Sequence, residues 1–217
     1  MEYKQRSYMI NNRWFNMVLL LTIMGEFLLP WILGQYYVGY NSKTMVMSVL
    51  GSLQSPVRFI YNMWLIWLGG FLAVTAVVYF EAIRTESPIM AVFILLSIGI
   101  FAVGAGLISG IFSVNESKDI VTAASKMHGT GAAIGFIALL FFPLLNGIFS
   151  FKQGDVGFGI VSIISFISAF IFFACFIMGD KEQFQSTALR YGGLWERITL
   201  LCMYVPFIYK AIYILLF

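Results

Sequence analysis

Five side chains in this sequence, Arg58, Asn62, Glu116, His128 and Arg197, combine strong hydrogen-bonding chemistry with positions beside long apolar runs. Arg58 and Asn62 are one turn apart and would share one face of a helix. A guanidinium offers a planar fork of donors suited to phosphate or carboxylate, so Arg58 and Arg197 point to an anionic ligand. His128, the single histidine, is the candidate catalytic base, because an unperturbed imidazole exchanges protons near neutrality. Ser55, Ser117, Ser125 and Thr130 are the hydroxyls it could activate. No G-x-S-x-G, S-x-x-K or H-E-x-x-H pattern accompanies them.

Glu26 is the other ionisable residue to explain. It lies eight residues before Gly34, or roughly 12 Å of helix from the end of an apolar run. A carboxyl at that depth is costly and is expected to face the bundle interior with a partner. Pro30, four residues on, deprives the Glu26 carbonyl of its usual donor. A neutral hydrogen-bonded carboxyl, a proton or cation site, and a partner for a polar ligand are the readings this position leaves open.

Metal and cofactor chemistry find no support in the residue pattern. Cys175 and Cys202 fall within apolar runs with no ligand spacing to His128, which reads as inert thiols and no zinc site. A single histidine also excludes a haem held between two imidazoles. No cofactor is expected. The 13 Lys and Arg are scattered and the net charge is only +3, so no nucleic-acid surface is indicated.

The elements that must position these residues are set by hydrophobicity. The 217 residues are 60% hydrophobic and 11% charged, with a mean hydropathy of +0.90. Soluble chains carry about 25% charged residues, so the material for a wet surface is missing. Six apolar stretches, approximately 14–35, 57–80, 89–113, 128–149, 157–179 and 196–217, are each long enough to cross a hydrocarbon core as helix. They are continuous runs rather than the alternating segments of a membrane barrel. The expected fold is all-α: a polytopic bundle of six transmembrane helices forming a single domain, 1–217.

The first span follows Lys4, Arg6 and Arg13 but is too long for a secretory signal and reads as a retained helix. The loops near 81–88 and 150–156 are short, and those at 36–56, 114–127 and 180–195 are long, so all long loops share one face. Within the first of them Met45, Val46, Val49, Leu50 and Leu53 are spaced as a short interfacial helix. Gly106 with Gly110 and Gly131 with Gly135 are small-residue pairs for close packing, and Pro143 and Pro206 are expected to kink their helices. Lys and Arg number six on the short-loop side and seven on the other; weighting the first helix puts the amino terminus in the cytoplasm.

A family resemblance lies in the order of these features. Gly25 and Pro30 are followed by Tyr36-Tyr-Val-Gly-Tyr-Asn41, Ser48-Val-Leu-Gly51, Ser55-Pro56 and Asn62. Then come Gly106 to Phe112, an acidic loop, His128 and Gly193-Leu-Trp-Glu-Arg197. From about residue 14 to 215 the chain resembles the prokaryotic six-helix membrane proteins known as domain of unknown function 998. It departs from their Gly-x-Phe-Pro-x-Asp element, reading Gly110-Ile-Phe-Ser-Val-Asn-Glu116, with Ser113 in place of the proline. The resemblance implies a plasma-membrane bundle with a polar site at one face, Ser48, Asn62, His128 and Arg197 at the same end, and no particular reaction.

The expectation is a prokaryotic plasma-membrane protein that binds or senses an anionic lipid or amphiphile under the long loops. Arg58, Asn62, Glu116, His128 and Arg197 would hold it, and Glu26 would be buried in the bundle interior. An intramembrane hydrolase using His128, or a small transporter, is the alternative. Membrane lipids are the expected partners, with a second copy or another membrane protein left open.

Overall fold

The computed structural model describes residues 9–115 and 122–217. Six helices are long and apolar enough to cross a bilayer: α1 (Arg13–Gly34), α2 (Arg58–Ile83), α3 (Pro88–Ile111), α4 (Ala123–Lys152), α5 (Val156–Gly179) and α6 (Gly192–Leu216). With no strand among the described residues, this is an all-α multi-pass membrane architecture.

Local chemistry sets where the helices start. The Asn12 side chain accepts from Phe15 N at 3.1 Å and opens α1, and Asp155 does the same for Phe158 N at 3.1 Å in α5. α4 begins at Ala123, earlier than hydrophobicity alone indicates. Thr122 and Ser125 form a reciprocal capping box at 3.1 and 3.0 Å, so polar residues that read as loop are its first turn. α6 likewise starts at Gly192. Pro143 breaks α4 into Ala123–Leu140 and Phe142–Lys152 around Phe141, whereas Pro206 and Pro30 are carried within unbroken helices.

Packing is tightest where glycines remove side chains. Gly69 of α2 and Gly106 of α3 meet backbone to backbone, as do Gly104 of α3 and Gly131 of α4. That second seam coincides with a π-helical stretch, Ala102–Ile108, in which the backbone repeat widens and Ser109 Oγ donates back to Gly104 O at 3.0 Å. Lower in the bundle Phe142 stacks on Phe207 at 4.1 Å, with Tyr79 edge-on to both. α5 packs chiefly along α6.

The two ends of the bundle are tied differently. Arg13 Nη2 donates to Leu215 O at 2.6 Å, which brings the amino-terminal helix and the carboxyl terminus together at the short-loop end. At the long-loop end Leu194 N donates to Lys43 O at 2.9 Å, fastening the first loop to the start of α6. The short helix of that loop is a 3-10 turn, Met47–Gly51, that points inward: Met47 and Leu50 are buried, and Leu53 is exposed.

Candidate functional site

The first long loop is held down by two adjacent residues of α6. Gly193 makes this approach feasible, because a Cβ there would strike the Met45 carbonyl. One turn later the Arg197 guanidinium donates through Nη1 to Ser42 O at 2.8 Å, Met45 O at 3.3 Å and Gly193 O at 2.6 Å, and through Nη2 to Tyr40 Oη at 2.6 Å. Burial pushes the Tyr40 phenol above its ordinary pKa, with the guanidinium pulling the other way. Glu196 Oε2 accepts from Met47 N at 2.8 Å, capping an orphan amide at the start of the 3-10 turn, and lies 3.9 Å from Arg197.

His128 performs the matching task at the end of α3. Its Nδ1 faces Phe112 O at 2.8 Å and Ser109 O at 3.2 Å, carbonyls that the ending helix leaves without backbone donors. Two acceptors at Nδ1 require the proton there, so in the neutral ring Nε2 carries the lone pair.

Between these anchors lies a cavity of about 380 Å³. Val46, Met47 and Ser48 roof it, and His128, Glu196 and Tyr61 supply its polar wall. The rest of the wall is apolar, chiefly Ala132, Ala133, Phe136, Phe173 and Phe176. His128 is 3% exposed and Glu196 6%, so both are buried groups set on an otherwise oily surface. Exposed Ala133 and Ile137 of α4 and Ile177 of α5 also line it, which opens the cavity sideways between those two helices.

Of the four expected site residues that the structure describes, Arg58, Asn62, His128 and Arg197, His128 alone lines this cavity. Arg58 Nε and Asn62 Nδ2 both donate to Ser113 Oγ, at 2.9 and 3.2 Å, in a separate cluster where α2 meets the end of α3. Asn62 Oδ1 is buried there, against Gly51, with no hydrogen-bond partner among the described residues. Arg197 is turned into the loop, where backbone carbonyls take the place expected for a ligand's phosphate. Glu116 lies outside the described residues, as do Ser117 and Asp119. Glu196, not among the expected site residues, is the carboxylate that reaches the cavity; its signal was its place one residue before Arg197, near the start of α6.

Of the hydroxyls considered as nucleophiles, Ser55, Ser125 and Thr130 are described, and none of the three is on His128. Ser125 bonds Thr122, Ser55 Oγ accepts from Val57 N at 3.3 Å, and Thr130 lines an outer groove between α3 and α4. Ser109 is close, but it offers the imidazole its carbonyl while its hydroxyl serves Gly104. Deeper in the bundle, Glu26 is 3% exposed and accepts from Trp64 Nε1 at 2.8 Å. No cluster of metal-ligating side chains occurs among the described residues.

A family model described as "Protein of unknown function (DUF998)" matches residues 23–212, so the chain belongs to that family. No curated protein and no solved structure matches it.

Proposed function

We propose that this DUF998 protein binds a membrane amphiphile in the cavity beneath its first long loop, the apolar body entering from the bilayer between α4 and α5. One observation carries the reading: a cavity of about 380 Å³, open sideways between two membrane helices, holds two buried ionisable groups at its loop end and aromatic and alanine side chains elsewhere. That volume lies within the roughly 300–1,000 Å³ of small-molecule sites. A soluble ligand would need a mouth toward water, whereas this opening faces the hydrocarbon. The loop, clamped by Glu196 and Arg197, keeps the polar end covered.

Binding or sensing is favoured over hydrolysis because His128 addresses backbone carbonyls and none of the hydroxyls of known placement is set to be activated by it. The protein is read as sitting in a prokaryotic plasma membrane with its amino terminus in the cytoplasm, where Lys4, Arg6 and Arg13 precede the first span. Thiol labelling of Thr85→Cys and Lys43→Cys from either side tests that orientation; Thr85 labelled from outside would reverse it.

Native mass spectrometry of protein taken from its own membrane, wild type beside Ala133→Trp, tests the binding claim. Ala133 is exposed at the opening, so the indole is expected to block entry without disturbing the core. A co-purifying amphiphile present in wild type and lost in the variant is the expected result. Equal occupancy in both would remove the cavity from consideration.

A further inference from the structure

Resting on that reading of the cavity, we infer that its occupant carries a hydroxyl-bearing head, of the kind found on an acylglycerol, rather than a phosphate or a quaternary ammonium. The polar atoms facing the cavity are mainly acceptors. His128 commits its Nδ1 proton to two carbonyls, which leaves the Nε2 lone pair. Glu196 uses Oε2 for Met47 N, and Oε1 has no protein partner among the described residues. The hydroxyls of Tyr61 and Ser48 can donate or accept. No lysine or arginine is among the described lining residues, and the Arg197 guanidinium spends its donors on the loop.

A phosphate head would meet a carboxylate and an imidazole lone pair with few donors to receive its oxygens, and would be desolvated at a loss. A quaternary ammonium brings charge but no N–H, leaving both acceptors unpaired. A head with two O–H groups can donate to the acceptors on α4 and on α6 together. Because Arg197 lies 3.9 Å from Glu196, the carboxylate is already part-compensated, which favours an uncharged donor over a cation.

The test compares three heads on one dodecyl chain: 1-O-dodecylglycerol, dodecyl phosphate and dodecyltrimethylammonium, added to the full chain in nanodiscs and followed by native mass spectrometry. The glycerol ether should bind about tenfold more tightly than either ionic head, the worth of roughly one hydrogen bond left unmade. Glu196→Gln sharpens the comparison: its amide oxygen can keep the Met47 contact and turn the NH2 inward, so the glycerol advantage should shrink and the phosphate should gain. Phosphate or ammonium binding as tightly as the glycerol ether in wild type, or a ranking unchanged by Glu196→Gln, overturns the inference about the head. If Ala133→Trp leaves all three ligands bound as in wild type, the cavity reading itself falls, which separates the two failures.

Discussion

α4 has two flanks that behave in opposite ways. Toward α3 its inner face is tight, with a groove only on the outer side: a Cβ at Gly104 would strike the Gly131 carbonyl, and one at Gly131 or Gly135 would come within 3.0 Å of α3 backbone. Toward α5 it barely meets its neighbour near the long-loop end, and the space left between them is the cavity. Both flanks are built from small residues: glycines on one, Gly129, Ala132 and Ala133 on the other. Small residues therefore do not by themselves mean close packing. They bring helices together where the partner is also small, and they leave a hole where the partner presents bulky rings, Phe173 and Phe176, with Phe176 meeting Phe136 at 6.4 Å between ring centres.

The largest effect expected from breaking this contrast is on the tight flank. A Cβ at Gly104 would press on the Gly131 carbonyl, a backbone atom that cannot swing aside. Gly104→Ala should destabilise the bundle by about 3 kcal/mol, the upper end of overpacking costs. Denaturation in mixed micelles measures it, and a variant as stable as wild type would mean the α3–α4 seam is not tight.

Second in size is the clamp above the open flank. Arg197→Ala removes the donors that hold Ser42, Met45 and Tyr40, and should cost about 2–3 kcal/mol, in the range for charge-assisted bonds. The loss should be localised: amide exchange should rise in the first long loop and around Met47 while α2 and α3 stay protected. Exchange rising evenly along the chain would show that Arg197 supports the whole bundle instead.

The spans were legible because each is a run of apolar residues bounded by charge, and that pattern depends only on local sequence. Their edges were less so. The capping box at Thr122 looks like loop until Ser125 is seen folded back on it, and a π-helical stretch has no apolar signature of its own. Glu26 was singled out because a carboxylate within an apolar run is conspicuous, but nothing local names Trp64, 38 positions away, as its donor. The fate of Arg197 was hidden for the same reason. Apart from the Gly193 carbonyl and the Tyr40 hydroxyl its partners are the carbonyls of Met45 and Ser42, 152 and 155 residues earlier, and a carbonyl is present at every position, so residue type does not announce them. A lateral opening is harder still, since it exists in the separation of two helices and not in either one.

Third in size is Glu26 of α1, which lines neither the α3–α4 seam nor the cavity. Glu26→Gln keeps an oxygen for Trp64 Nε1, whereas Glu26→Leu leaves that N–H buried and unpaired. The leucine variant should lose about 1–2 kcal/mol and the glutamine variant clearly less. Neither should alter amphiphile occupancy, because Glu26 does not line the cavity. Ligand loss in both would connect the two sites.

The smallest effect is also the sharpest probe of the contrast, because it uses two glycines of one helix only two residues apart. A Cβ at Gly131 would come within 3.0 Å of the Gly104 carbonyl and 3.1 Å of Ile108, whereas one at Gly129 meets nothing within 4 Å. Alanine restricts the unfolded chain more than glycine does, so where there is room the substitution stabilises a helix by up to about 1 kcal/mol. Gly129→Ala should therefore be neutral or slightly stabilising, and Gly131→Ala destabilising, although the chemical change is the same. Because the Gly129 methyl would project into the cavity, the variant should also admit a ligand of slightly smaller cross-section, seen as a shift in preference from branched toward straight acyl chains at unchanged stability. If Gly129→Ala destabilises as much as Gly131→Ala, the flank facing α5 is closed, and the opening on which the binding site depends does not exist.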